Sequence, residues 1–389
     1  MRILLVHNAY RWSGGEDSVF RSEATLLEQH GHQVHRLTFE HEDLKKIRPM
    51  SLAARTFWSR SAKRLVHDTV KKHDIEVAHF HNILPLVSPS ALYGARQAGA
   101  AIVKTLHNHR LVCPAGLMLR EGRHCDDCAD KRLAWPAIGH ACYRQSRCAS
   151  GAVALMVTGH RMLGTWATTV DLYIAPSQSL RSQILRSGLP PEKVVVKPHF
   201  VLDAPEAGSG CDGNAIFVGR LSHEKGLDVL LDAWKRIQNP PLLRIIGDGP
   251  LARHLDQDVP GVEWAGWMSH RELFQAIGRS AVLIAPSICH EAFGLVLIEA
   301  LAVGTPVIAS NAGAMAEIVT PSSGILFPVG DAGQLALAVE RLLSSRERLE
   351  GMRAAARARF LENYTAEKNY TQLIDVYQRA IELRKQAVD

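Results

Sequence analysis

The sequence predicts an α/β protein of two domains, each a doubly wound parallel sheet with helices on both faces. Three observations carry that reading. The chain has 389 residues, more than a single core usually organises. Hydrophobic residues make up 47%, enough for two cores. Short apolar runs alternate with amphipathic ones along the whole chain, the pattern of strand–helix–strand units.

The elements follow in order. Residues 2–6 read as the first strand and 18–29 as the first helix. Residues 34–37, 77–81 and 101–106 are further strands. Pro, Gly, Asp and Ser cluster over 198–213, which sets the domain boundary near residue 200. The first domain is then 1–200 and the second 201–364. Residues 215–218 form a strand that ends at Gly219. Leu227, Leu230, Leu231 and Trp234 then recur at i, i+3, i+4, i+7, an amphipathic helix. Strands at 242–246 and 262–265 end in Gly247 and Gly266. Ser269-His270-Arg271-Glu272 is a capping box. A buried strand at 281–285 closes with Pro286, an apolar helix covers 295–303, and a strand at 306–310 leads to Asn311-Ala312-Gly313. The last segment places Tyr370, Leu373, Ile374, Tyr377 and Ile381 on one helical face.

Chemistry concentrates at the strand ends. Glu291 and Glu299 stand seven residues apart, one on a loop after a strand and one about a turn into the next helix. Between them Phe293, Gly294 and Leu295 offer backbone N–H groups at a helix start, an anion site. Arg220 and Lys225 project from the loop after 215–218. Arg brings a fork of donors and Lys a mobile charge, a pair that suits a diphosphate. Carboxylates flanking an anion site can hold the hydroxyls of a sugar and of a ribose, an arrangement that suits a nucleotide-sugar. In the first domain Gly14 and Gly15 follow the first strand, where glycine lets backbone approach a ligand. His107 follows the strand 101–106, at the carboxyl end where open α/β sheets bind ligands. His79, His81 and His109 are rivals for that position.

The stretch from Glu291 to Glu299 resembles the E-x7-E signature of retaining glycosyltransferases of family 4, whose fold is called GT-B. Gly219-Arg220 with Lys225-Gly226 resembles that family's diphosphate clamp, and Thr105-Leu106-His107 its T-x-H segment. The resemblance covers nearly the whole chain and is strongest over 214–330. It implies two Rossmann-like domains facing a cleft, with the final helix, 365–389, returning to the first domain. It implies that Glu291 and His107 contact the donor sugar, that Glu299 contacts the ribose, and that Arg220 and Lys225 clamp the diphosphate. It also implies a hexose transfer with retention, no catalytic metal, and a glycan or lipid-linked acceptor in polysaccharide synthesis. Asp256-Gln257-Asp258 matches a metal-binding D-x-D pattern but lacks a strand end beside it, and reads as a chance match. The alternatives are a nucleotide-sugar epimerase of the same fold and a non-catalytic sugar-nucleotide-binding subunit.

Two features lie outside those motifs. Five of the seven cysteines fall between 113 and 148. Cys113, Cys125, Cys128 and Cys142 suggest a structural zinc in a compact insertion, with Cys148 and His124 as substitutes. The resemblance extends to a subset of the family with such an insertion. The net charge is +6. Residues 45–72 hold Lys45, Lys46, Lys63, Arg64, Lys71 and Lys72 among their basic side chains, interleaved with Phe57, Trp58, Leu65 and Val66. That pattern suits an anionic membrane surface. No nucleic-acid module accompanies it, so no nucleic-acid partner is expected. No apolar run is long enough to cross a membrane, and the first residues read as a strand and not a signal peptide. The expected location is the cytoplasm, with peripheral attachment to the inner membrane face.

Overall fold

The computed structural model describes residues 1–9, 14–40, 47–252, 255 and 259–387. Trp12, Ser13, Lys45, Lys46 and the Asp256-Gln257-Asp258 match lie outside the described residues. The chain divides into two units. The first comprises Met1–Met118, Asp126–His199 and Glu367–Asp389. The second comprises Leu119–Cys125 and Phe200–Ala366.

In the first unit the strands are β1 (Arg2–Asn8), β2 (Gln33–Phe39), β3 (Val77–Phe80) and β4 (Ala101–Thr105). A small hairpin of β5 (Leu119–Arg120) and β6 (Arg123–His124) interrupts the chain and groups with the second unit. Then come β7 (Leu172–Ala175) and β8 (Val194–Val196). The sheet order is β2-β1-β3-β4-β7-β8, parallel throughout. β3, β4 and β7 are buried at every residue, and β7 is apolar throughout, while His79 in β3 and Lys104 and Thr105 in β4 are polar groups inside the sheet. The first helix, Gly15–Gln29, starts three residues earlier than the periodicity suggests. Gly14 is its N-cap, and the Gly14 N–H donates to Asp17 Oδ2 at 2.8 Å. A glycine cap leaves no side-chain signal, so the pair reads as loop from sequence alone. The last helix, Ala366–Gln386, seals this unit's core. Its Leu373, Val376 and Tyr377 pack with Ile3, Leu5 and Phe20. Each fully buried side chain of this size contributes about 2 kcal/mol.

The second sheet holds β9 (Ala215–Val218), β10 (Leu243–Ile246), β11 (Val262–Gly266), β12 (Val282–Ala285), β13 (Val307–Ser310) and β14 (Gly324–Phe327). Its order is β11-β10-β9-β12-β13-β14, again parallel. Alternation along β12 feeds two cores. Val282 and Ile284 join the core that takes Leu227, Leu230 and Trp234 from the helix Leu227–Arg236. Leu283 and Ala285 join the one that takes Leu297, Ile298 and Leu301 from the helix Leu295–Ala302.

The strand order reverses between β9 and β12. Connections leaving these two strands run to opposite sides, which opens a crevice at their carboxyl ends. Gly226 closes the turn after β9 at that point. Its φ is +72°, and a Cβ there would lie 1.9 Å from the Pro286 carbonyl oxygen at the end of β12. The Ile288 N–H donates to the Glu224 carbonyl at 3.0 Å and ties the same two loops together. Gly226→Ala should therefore cost about 1–3 kcal/mol, through strain and overpacking. A urea midpoint equal to that of the parent chain would contradict this contact.

Candidate active site

Two sequence-distant residues meet at the reversal. Lys225 ends a short 3-10 turn, His223–Lys225, on the loop leaving β9. Glu291 lies on the loop leaving β12. Lys225 Nζ donates to Glu291 Oε1 at 2.6 Å. Ser287 Oγ donates to the same oxygen at 2.8 Å, and Cys289 Sγ approaches it at 3.9 Å. Burial pushes the Glu291 carboxyl up, but the Lys225 charge and these hydrogen bonds outweigh it and bring it below the ordinary range. Burial pushes Lys225 down, and the Glu291 charge outweighs that too, so the ammonium is held above its ordinary value. Burial pushes the Cys289 thiol up, which keeps it a donor. Both members of the ion pair are thus charged at neutral pH. Among the described residues no partner falls on Glu291 Oε2.

The other predicted residues of this unit take distinct places. Arg220 is exposed, and its side chain makes no hydrogen bond or ion pair among the described residues. Gly294 caps the helix Leu295–Ala302 with φ +101°. Leu295 is its first residue, so its N–H has no acceptor within the helix. The Phe293 ring is turned into the core, 6.2 Å from Tyr364. Glu299 sits one turn into the helix, with Oε1 3.8 Å from His270 Nε2. Glu299 holds the His270 imidazolium above its ordinary value, against burial.

Sequence reasoning missed several of these partners. Ser287 and Cys289 carry no motif. His270 was legible only as part of a helix cap. His124, read as a substitute metal ligand, packs tilted against His290 with ring centroids 4.2 Å apart, beside Glu291. Only the fold of the β5–β6 hairpin could reveal that contact.

In the first unit the carboxyl ends of β1, β3 and β4 gather histidines. His107 Nε2 lies 3.0 Å from His81 Nδ1, and its ring stacks on His199 at 5.3 Å. His79 lies inside the core between Tyr377 and Thr105. Of the rivals, His81 shares the end of the sheet with His107, and His109 is buried. Gly14 and Gly15 begin the first helix, where Asp17 binds both the Gly14 N–H and His7 Nε2, the latter at 2.9 Å. Glu16 accepts from Asn108 Nδ2 at 2.9 Å.

Cys128 and Cys142 share a small core with Ala134, Ala137 and Ala154. Cys125 closes the hairpin segment of the second unit, while Cys113, Cys128 and Cys142 belong to the first. Among the described residues one group of His, Cys, Asp or Glu brings three ligand atoms within 4.8 Å of one another, Glu23, His79 and His81, and it contains no cysteine. Cys113, Cys125, Cys128 and Cys142 form no disulfide among the described residues. A structural zinc on them is a proposal that elemental analysis of the pure protein tests: about one zinc per chain supports it and none removes it.

The basic segment forms the helices Pro49–Phe57 and Arg60–Lys72. Ala62, Val66 and Val70 turn inward. Trp58 packs against Tyr93 and His160. Arg60, Arg64, Lys71 and Lys72 face out. The interleaved apolar residues mostly serve the core, with Leu65 left exposed. No helix among the described residues is long and apolar enough to cross a membrane.

Two family models match the chain. One, described as Glycosyltransferase Family 4, matches residues 13–202, and one, described as Glycosyl transferases group 1, matches residues 212–345. A phosphatidyl-myo-inositol mannosyltransferase of Propionibacterium freudenreichii subsp. shermanii is 36% identical over 149 residues, covering 36% of this chain and 38% of that protein. A sulfoquinovosyl transferase of Arabidopsis thaliana is 35% identical over 150 residues, covering 36% of this chain and 29% of that one. These matches span well under half of the relatives' length. Among solved structures, Anabaena HepE in complex with UDP has a TM-score of 0.68 at 18% identity, covering 97% of this chain and 100% of its own. Sucrose-phosphate synthase of Thermosynechococcus elongatus has a TM-score of 0.72 at 19% identity, covering 97% and 98%. Both have the fold described above. The chain belongs to glycosyltransferase family 4 and has the GT-B fold.

The histidines make stability depend on pH. Burial pushes His79, His81 and His199 well below their ordinary value and brings His107 down to about 4. In the unfolded chain they take up protons near pH 6.5. Above that pH there is no penalty. As pH falls below it, the unfolded state binds protons that the folded state refuses, so stability declines toward the folded-state values. The urea midpoint is expected to be lower at pH 5 than at pH 7.5. Equal midpoints would contradict the burial of these rings.

Proposed function

We propose that the protein transfers a hexose from a nucleoside diphosphate sugar to a glycan or lipid-linked acceptor, with retention of configuration and without a catalytic metal. The observation that carries this reading is the Lys225–Glu291 pair at the reversal of the second sheet. Lys225 and the exposed Arg220 supply two cations for the charge that grows on the leaving diphosphate, the service a divalent ion performs elsewhere. Glu291 Oε2 accepts from a sugar hydroxyl. Glu299 accepts from the ribose. His107 hydrogen-bonds the donor sugar, as the family resemblance implies. The reaction is a front-face substitution in which the departing diphosphate helps deprotonate the acceptor, so no protein nucleophile is assigned. The outward basic face of Arg60–Lys72 holds the protein against anionic lipid, where a lipid-linked acceptor would be met.

Substitutions separate these roles. Arg220→Ala and Lys225→Ala should each weaken nucleoside diphosphate by about 1.5–3 kcal/mol and nucleoside monophosphate by less. Glu299→Ala should lower donor kcat/KM by a similar amount, while Glu291→Gln should slow turnover with little change in affinity for the sugar-free nucleotide. Calorimetry showing both nucleotides weakened alike would remove the clamp assignment. Activity lost to a chelator and restored by a divalent ion would overturn metal independence.

Vesicle sedimentation tests the surface assignment. Binding is expected to vesicles containing anionic lipid and not to neutral ones, and to fade as salt shortens the screening length from about 10 Å at 0.1 M. Replacing Lys63, Arg64, Lys71 and Lys72 with Ser should abolish it and leave donor hydrolysis intact. Equal binding to neutral vesicles would reject the electrostatic mechanism.

A further inference from the structure

Behind His107 runs a chain of buried polar groups. Glu23 and Lys197 are both removed from solvent. Lys197 Nζ donates to Glu23 Oε1 at 2.9 Å and to Asn369 Oδ1 at 3.0 Å. Glu23 Oε2 lies 3.4 Å from His81 Nε2 and 3.7 Å from His79 Nδ1. His79 is already engaged at both nitrogens, with Tyr377 Oη and Thr105 Oγ1 each at 2.8 Å. His81 is engaged at one, where Nδ1 meets His107 Nε2 at 3.0 Å. Its other nitrogen and Glu23 Oε2 are both buried without a hydrogen bond of good geometry, and they face each other.

These two atoms complement each other in one protonation state only. A bare nitrogen lone pair against a buried carboxylate oxygen is repulsive, and low dielectric makes that repulsion large. A proton on His81 Nε2 turns it into attraction. Neutral His81 then carries a lone pair on Nδ1. His107 Nε2, facing that lone pair, must be the donor, which leaves His107 Nδ1 bare. Burial keeps both rings neutral at pH 7.

We infer that Glu23 and His81 are positioning residues that lock His107 in its Nε2–H tautomer, so that His107 presents a hydrogen-bond acceptor to a hydroxyl-bearing ligand. The inference rests on the reading of His107 as a sugar contact. An acceptor at Nδ1 matches a sugar hydroxyl and disfavours a fully ionised phosphate, which has no proton to give. Glu23, His79 and His81 also bring three ligand atoms together. A metal is disfavoured there, because the Lys197 ammonium already neutralises Glu23 and His79 would have to give up a hydrogen bond.

The test is long-range proton–nitrogen correlation of the imidazoles in the full-length, nitrogen-15-labelled protein at pH 7, with His107 assigned by loss of its signals in His107→Gln. The neutral Nε2–H pattern is expected. An Nδ1–H tautomer or an imidazolium overturns the inference, and the assignment requires only that His107→Gln keep the other imidazole signals in place. His81→Phe removes the acceptor. It should mix the two tautomers and lower donor kcat/KM about tenfold, the worth of one hydrogen bond, with nucleoside diphosphate affinity unchanged. His81→Asn, whose amide oxygen can accept from His107, should restore the tautomer and most of the activity. An unchanged tautomer in His81→Phe overturns the inference, as does an Asn variant as impaired as the Phe one. Stoichiometric cobalt binding with ligand-field bands lost in Glu23→Gln would make the cluster a metal site and overturn it as well. If the tautomer is as expected but His107→Ala leaves donor turnover untouched, the sugar-contact reading fails and the tautomer lock stands.

Discussion

The reversal of strand order between β9 and β12 is the constraint on which the candidate site depends. In an all-parallel sheet the loops leaving neighbouring strands normally pass to the same side. Where the order reverses they part, and backbone groups and side chains from two distant segments are left facing a common space. Lys225 and Glu291 are 66 residues apart and meet there at 2.6 Å. The contact at Gly226 and the Ile288–Glu224 hydrogen bond keep the two loops from drifting apart. The ion pair then fixes the charge state of both residues. A carboxylate with one oxygen occupied by Lys225, Ser287 and Cys289 presents the other as a directional acceptor.

The two units solve their electrostatic problems differently. The second keeps its charges partly exposed, so Lys225 retains access to a ligand while Glu291 is more deeply set. The first buries an entire ion pair, Lys197 with Glu23, beneath a layer of neutral histidines. Desolvating two charges costs several kcal/mol each, and their attraction repays this only with good geometry and further hydrogen bonds. Asn369 supplies one of these to Lys197. It comes from the last helix, so the buried pair also anchors that helix, together with Tyr377 bonded to His79.

Much of the fold was legible in the sequence because the central strands are buried and mostly apolar, as β12 is throughout, and stand between helical periods. The motif residues were legible because most sit on the loops that follow such strands, with Glu299 in the helix just beyond one. What was not legible depends on which strand ends become neighbours. Nothing local pairs His270 with Glu299, His124 with His290, or Glu23 with His81. The start of the first helix was hidden by a cap with no side chain. The basic segment shows the limit of composition. Of the apolar residues that suggested a lipid-facing surface, Val66 turns into the core with Ala62 and Val70 while Leu65 stays exposed, a division composition alone does not give. Spacing likewise could not say that Cys125 would group with the second unit while Cys113, Cys128 and Cys142 group with the first.

Hydrogen exchange with and without nucleoside diphosphate tests the central claim most directly, since a ligand stabilises the segments it touches. Guanosine, uridine and adenosine diphosphates would be compared on the intact chain. Added nucleotide should slow exchange in two separate stretches, 219–226 and 287–299, with Lys225→Ala losing the effect in both. Protection confined to one of them, or found only outside both, would contradict a ligand site assembled at the reversal of the second sheet.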